Sequence, residues 1–213
     1  MRTELREGLQ FLREHRVIRP LLLGGTGLNF ASAAYFAIFV MWVVGPDSAV
    51  GLTPQLYGLL PAALAVGAIA GAACTEPLQR RLSEARLITV AWLLNSLLLL
   101  VPVLIPTGPA IGAAFVVVGF TNMVGDVVNQ SMRQRLVPDR LRGRVGGASR
   151  MIGYGSLPVG AALGGVVAEA FGLPAVLLGA SLVPVALVLW VIREVPQQVI
   201  DHADATMDLA TAA

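Results

Sequence analysis

Residues 133–150 read RQRLVPDRLRGRVGGASR, six arginines against the single acid Asp139, with long apolar runs on both sides. A basic stretch between apolar runs is how a loop at the inner face of a bilayer looks in sequence. The run that leads into it is polar where its neighbours are not, carrying Asn122, Asp126, Asn129 and Gln130. A glycine-rich run leaves it. The stretch is therefore expected to be a cytoplasmic loop joining two membrane helices, with Arg133, Arg135, Asp139, Arg142, Gly143 and Arg144 in it.

Working outward, the chain of 213 residues is 56% hydrophobic and only 13% charged, with a mean hydropathy of +0.75. A soluble protein of this size carries roughly a quarter of its residues as charges. Six apolar runs, about 20–44, 55–75, 87–105, 110–132, 147–171 and 175–192, each reach the length needed to cross a bilayer. That length is about twenty residues for roughly 30 Å of hydrocarbon. Pro61, Pro102, Pro158 and Pro184 fall inside these runs, which suits membrane helices, where neighbours satisfy the freed carbonyls. The runs do not alternate, which excludes a transmembrane barrel. The fold class expected is all-α, a polytopic membrane protein.

All fifteen basic residues are arginine. They fall before the first span, between the second and third, between the fourth and fifth, and after the sixth, and the other three connections hold none. The positive-inside rule puts that side, and both termini, in the cytoplasm, with the chain multi-pass in the plasma membrane. Residues 1–19 form a lead-in with Leu5, Leu9 and Leu12 at helical spacing. They read as an amphipathic helix on the membrane surface or, equally, as a solvated tail. Residues 193–213, with Asp201, Asp204 and Asp208, are expected to be a disordered cytoplasmic tail. The first twenty residues mix Arg and Glu and do not read as a cleavable signal. The lone Cys74 provides neither a disulfide nor a metal site.

A pattern of period three runs through the spans. The first and fourth are the polar ones, with Thr26, Asn29, Ser32 and Tyr35 in one and Thr121, Asn122, Asp126, Asn129 and Gln130 in the other. The second and fifth each hold a GxxxG, Gly67/Gly71 and Gly160/Gly164, and the third and sixth are nearly featureless. Small residues so spaced let helix backbones approach closely, although GxxxG also arises by chance in apolar sequence. Three spans are an odd number of crossings, so the second triplet is inverted relative to the first.

These residues resemble the C-terminal half of a major facilitator superfamily transporter, in the branch of the enterobactin exporter and the macrolide-efflux proteins. EGLQFLREHRVIRPLLL is similar to that branch's approach to its seventh helix. NQSMRQRLVPDRLRGRVGGASRMIGYGSLPVGAALGGVVAEAFG is similar to its tenth helix, following loop and eleventh helix. GAACTEPLQRRLSEAR resembles a degraded form of the superfamily's basic loop motif. The resemblance covers the chain to about Glu194. It implies six helices as two inverted three-helix repeats, half of a twelve-helix transporter, with the first and fourth helices lining the cavity. Asp126 stands where relatives carry neutral residues, so no role for it follows from the resemblance.

Asn122, Asp126 and Asn129 share one helical face, and Asp126 is the one acid well inside a span. Because an ionised carboxylate facing lipid is costly, it is expected to face the bundle interior or water. It reads either as a proton or cation site or as a partner of Arg133. Thr26 and Asn29 read as cavity contacts or as interhelical hydrogen bonders; Arg142 and Arg144 as gate or headgroup contacts. No catalytic or metal site is expected, since His15 and His202 lie outside the spans. No cofactor is expected either, and without lysine no Walker loop exists. The arginine stretch lacks interleaved aromatics, which argues against nucleic acid. The function expected is a secondary transporter half for proton-coupled efflux of a small organic molecule. Its expected partners are the lipid bilayer, that substrate, and a second six-helix half, as a separate chain or a second copy. The competing readings are a truncated or mis-started transporter without activity of its own and a membrane interaction subunit.

Overall fold

The computed structural model describes residues 2–212, with side chains described over 7–206. Its helices are α1 (Arg2–Glu14), α2 (Ile18–Val43), α3 (Pro54–Tyr57), α4 (Leu59–Gln79), α5 (Glu84–Leu98), α6 (Val101–Leu104), α7 (Gly108–Leu136), α8 (Asp139–Phe171), α9 (Leu173–Glu194) and α10 (Gln197–Ala212). Among the described residues, six spans are long and apolar enough to cross a membrane: α2, α3 with α4, α5 with α6, α7, α8 and α9. The side chains of Arg2, Leu5, Arg6 and Asp208 lie outside the described residues.

Turn chemistry sets the connections. Thr53 accepts the Leu56 N–H and Pro54 follows it, so α3 starts there. Gly172 alone separates α8 from α9, at φ +84°, a conformation only glycine adopts without strain. The third span breaks between Leu98 and Val101, just ahead of Pro102. Two aromatic side chains of α2 reach across to that break. Tyr35 Oη donates to the Leu99 carbonyl at 3.0 Å, and Trp42 Nε1 donates to the Pro102 carbonyl at 2.9 Å. In hydrocarbon a freed carbonyl needs such a donor.

The two triplets are packed alike. α4 runs along α7 as α8 runs along α2, and α5 lies on α7 as α9 lies on α2. α5 and α9 meet on the axis between them. The glycines fix the register. A methyl group added at Gly67 would overlap the Val116 carbonyl oxygen, and one at Gly71 would come 2.6 Å from that of Phe120. One at Gly160 would overlap the Phe30 carbonyl oxygen, and one at Gly164 would come 2.7 Å from that of Ala34. Each pair of glycines thus seats against two carbonyls one helical turn apart.

Two expectations need correction. The stretch 133–150 is not a loop. Arg133 and Arg135 belong to the last turn of α7, only Val137 and Pro138 are non-helical, and Asp139, Arg142, Gly143 and Arg144 lie in the first turns of α8. The reason is visible in the spacing. Leu141, Val145 and Ala148 recur on one face and are buried, so this segment is an amphipathic helix with its arginines outward. The tail is not disordered either. α10 buries Ile200 completely, and Gln197 accepts the Ala85 N–H at 3.1 Å, just past the start of α5. The lead-in is likewise folded onto the bundle: Gly8 lies against the Arg144 backbone, Glu7 pairs with Arg144, and Leu12 is buried.

Candidate functional site

α2 and α7 face one another only loosely, and the space between them is a cavity of about 780 Å³. Thr26, Asn29, Asn122, Asp126, Asn129 and Gln130, the residues read from the sequence as a pathway, all line it. So does Arg133, but Arg135, Asp139, Arg142, Gly143 and Arg144 do not. Gly67, Gly71, Gly160 and Gly164 also stand apart from the cavity, between helices.

Asp126 is the one carboxylate in the lining. Among the described residues its oxygens accept no hydrogen bond and no cation lies within ion-pair distance, so the direct pairing with Arg133 weighed above does not form. Arg133 is two turns further along the same helix face. Asn122 is engaged differently: its Oδ1 accepts from Asn95 Nδ2 at 2.7 Å, tying α7 to α5. Thr26 Oγ1 is buried with no hydrogen-bond partner, whereas its carbonyl accepts from Ser156 Oγ on α8 at 3.4 Å.

Arg135 and Arg142, in the same stretch, have neighbours of their own. Arg135 makes a forked pair with Glu84 at 2.8 and 2.7 Å and reaches Asp204 of α10 at 3.2 Å. Arg142 pairs with Asp139 at 2.9 Å and donates to the Val137 carbonyl. The Arg135 contacts tie the end of α7 to α5 and α10, and neither arginine lines the cavity.

The lining also holds residues the sequence reading missed: Trp92 and Asn95 of α5, and Ser149, Arg150, Gly153 and Tyr154 of α8. Asn95 carried a usable signal, a lone amide in the apolar run LLNSLLLL. Arg150 was hidden by the assignment of its segment to a loop, because a helix start at Asp139 places it three turns into α8. At the opposite end the cavity gives way to rings. Tyr35 and Phe39 stack at 5.3 Å, Phe39 and Phe115 at 5.3 Å, and Phe36 meets them edge-on.

Six apolar spans in two inverted triplets, with a polar cavity between the two pseudo-equivalent helices, define half of a major facilitator fold in a multi-pass membrane protein. The family described as transmembrane secretion effector matches residues 1–209, and the chain belongs to this family of major facilitator transporters. The chain is 31% identical over 180 residues to the multidrug efflux pump Tap of Mycolicibacterium fortuitum, an alignment covering 83% of this chain. It spans 42% of that relative's length. No solved structure matches it.

Proposed function

We propose that the chain is the C-terminal half of a membrane efflux transporter that moves small organic molecules by alternating access. The observation that carries this is Asp126, a carboxylate that accepts no hydrogen bond from the described residues, on the wall of a polar cavity of about 780 Å³. A carboxylate held at membrane depth is an expensive feature, and facing a wet cavity it can exchange a proton for a cationic group. In this reading Asp126 takes a proton when the cavity faces outward and gives it up when cargo loads from inside, so the proton gradient drives export. The multidrug efflux activity of the relative supports efflux as the direction.

The arginine-rich end is the cytoplasmic one, with both termini there and the chain in the plasma membrane, as the distribution of arginines implies. One six-helix bundle forms one wall of the cavity. A second half, supplied by another chain or a second copy, closes it. The glycine pairs at 67/71 and 160/164 hold the helices of this half together, and the apolar side chains exposed on α4 and α8, such as Ile69 and Val166, face lipid or that second half.

The test is transport of ethidium, a flat organic cation, by this chain assembled with its second half and reconstituted in vesicles with an acidic interior. Gradient-dependent ethidium accumulation that Asp126→Asn abolishes is the expected result. An Asp126→Asn variant whose flux follows the gradient as the parent's does would overturn the role of Asp126.

A further inference from the structure

We propose that the cavity holds an anion-binding subsite made by Arg133 and Arg150, so that its cargo carries an acidic group as well as a cationic one. This rests on the reading of the cavity as a cargo site. Arg133 comes from the end of α7 and Arg150 from the third turn of α8, and both line the same cavity. Neither forms a hydrogen bond or an ion pair with any described residue. Arg135, Arg142 and Arg144, close by in sequence, each have an acidic partner.

The physical problem is that two guanidinium groups share one partly enclosed cavity with a single carboxylate. Arg133 is half-buried and Arg150 exposed, on neighbouring walls of the one cavity. Two like charges facing one cavity, one of them half-buried, repel each other, and an anion held between them relieves that repulsion. Their forked donors suit a carboxylate, sulfonate or phosphate. The wall beside them adds two hydroxyl donors. Ser149 Oγ, in a side chain only 4% exposed, has no hydrogen-bond partner, and Tyr154 lines the same face.

Asp126 stands seven residues before Arg133 on α7, a rise of about 10 Å. The two charged ends of the cavity thus suit a zwitterion whose acidic group sits toward the arginine-rich end and whose basic group sits about two helical turns deeper. A plain cation still meets Asp126, and an acidic group on the cargo adds the contact that the arginines select.

Trp92 lines the cavity and supplies the readout. With Trp42→Phe and Trp190→Phe it becomes the one tryptophan of the chain. In detergent, its fluorescence is titrated with 4-nitrobenzoate, 4-nitrobenzyl alcohol and 4-nitrobenzylammonium, three quenchers of one shape and three charges. The benzoate should saturate at a concentration about tenfold below the alcohol, the worth of one charge-assisted contact. Arg133→Gln/Arg150→Gln should remove that tenfold and leave the alcohol unchanged, which also shows that the variant is folded. Should the double variant not fold, Arg150→Gln alone should remove at least threefold. Benzoate and alcohol saturating alike in the parent, or a benzoate affinity indifferent to the arginines, overturns the anion subsite while the cavity reading survives. Saturable quenching by none of the three overturns both.

Discussion

α2 and α7 are the same helix twice in packing and two different helices in chemistry. Gly160 and Gly164 of α8 sit on the carbonyls of Phe30 and Ala34, as Gly67 and Gly71 of α4 sit on those of Val116 and Phe120. Carrying this register along the helices sets Asp126 opposite Val40, Asn122 opposite Phe36, and Asn129 opposite Val43. In the other direction Asn29 corresponds to Phe115 and Thr26 to Gly112. Apart from Tyr35 and Thr121, which do correspond, the polar residues of the two helices are therefore not repeat partners. Because the triplets are inverted, the start of α2 and the end of α7 lie at one end of the bundle, and the polar groups meet there. The repeat partners of Asn122 and Asn29, Phe36 and Phe115, meet at the other end, in a cluster with Tyr35 and Phe39. The difference teaches that backbone contact has kept the symmetry while side chains have made one end polar and packed the other with rings.

The shared half of the comparison is the easiest to break. Replacing Gly67 or Gly160 by Leu places a branched side chain inside the carbonyl of the facing helix, and backbone has nowhere to retreat. Overpacking typically costs about 1–3 kcal/mol, and clash with rigid backbone puts this case at the upper end. Both variants should lose most of their folded, monodisperse yield, and by similar amounts, because the positions are equivalent. Gly165→Ala is the control, since a methyl there meets nothing within 4 Å. It should leave the thermal midpoint unchanged or raise it, alanine being the better helix former by up to about 1 kcal/mol. A Gly67→Leu variant as stable as the parent would remove the structural basis for the register.

Much of this was legible beforehand, for reasons that lie in period and composition. Apolar length gave the six spans, and the polar runs containing Asn29 and Asp126 gave the two helices that face each other. What could not be read was the pairing of positions. The polar residues of the first and fourth spans look like a repeat in a composition table, but inversion makes partners of Asp126 and Val40. The segment 139–150 was misread because dense arginine looks like loop, although Leu141, Val145 and Ala148 already had helical spacing. The α10 helix was missed because its anchor, Ile200, is a single apolar residue in a polar stretch.

The unlike half of the comparison is tested at Asp126 and its partner. If chemistry is confined to one end, Asp126→Asn should abolish the response of flux to the proton gradient, a loss of at least tenfold, equal to about 1.4 kcal/mol. Val40→Asn, the same amide at the repeat-related position, should leave the gradient response intact. Equal losses at both positions would show that the two ends share the work.

The helix starts differ as well. α7 begins after the PTGP turn with no side-chain cap. Ahead of α2, His15 Nδ1 accepts the N–H groups of Val17 and Ile18, each at 3.2 Å, with the ring 5.2 Å from that of Phe11. This needs a neutral imidazole, and burial holds the His15 pKa below its usual 6.5. The folded state therefore binds this proton less readily than the unfolded chain. The stabilisation is complete above 6.5 and is lost as the pH falls below that value toward the lower folded pKa. Removing the cap by His15→Ala should cost about 1 kcal/mol at pH 8. His15→Asn offers an acceptor that does not titrate, so its thermal midpoint should fall less than the parent's between pH 7 and 5. Parallel pH profiles for parent and His15→Asn would exclude the histidine as the sensor.

The smallest effect is at the helix ends. α2 finishes in backbone hydrogen bonds, with the Leu52 N–H donating to the Val43 carbonyl at 2.8 Å and the Gly45 N–H to the Leu52 carbonyl at 3.1 Å. α7 finishes in charge, Arg135 between Glu84 and Asp204, with the arginine side chain 46% exposed. An exposed pair is worth a few tenths of a kcal/mol to about 1, and salt screens it within about 3 Å at 1 M. Asp204→Asn should therefore lower the thermal midpoint by about a degree in low salt and by nothing measurable in 1 M sodium chloride. Arg135→Gln, which gives up both carboxylates and leaves Glu84 without its forked donor, should cost more, about 1 kcal/mol. The hairpin at the end of α2 contains no ion pair among the described residues and gives salt nothing to act on. If Asp204→Asn instead costs the same at both salt concentrations, α10 is held by Ile200 and its apolar neighbours, and Arg135 serves only to join α7 to α5.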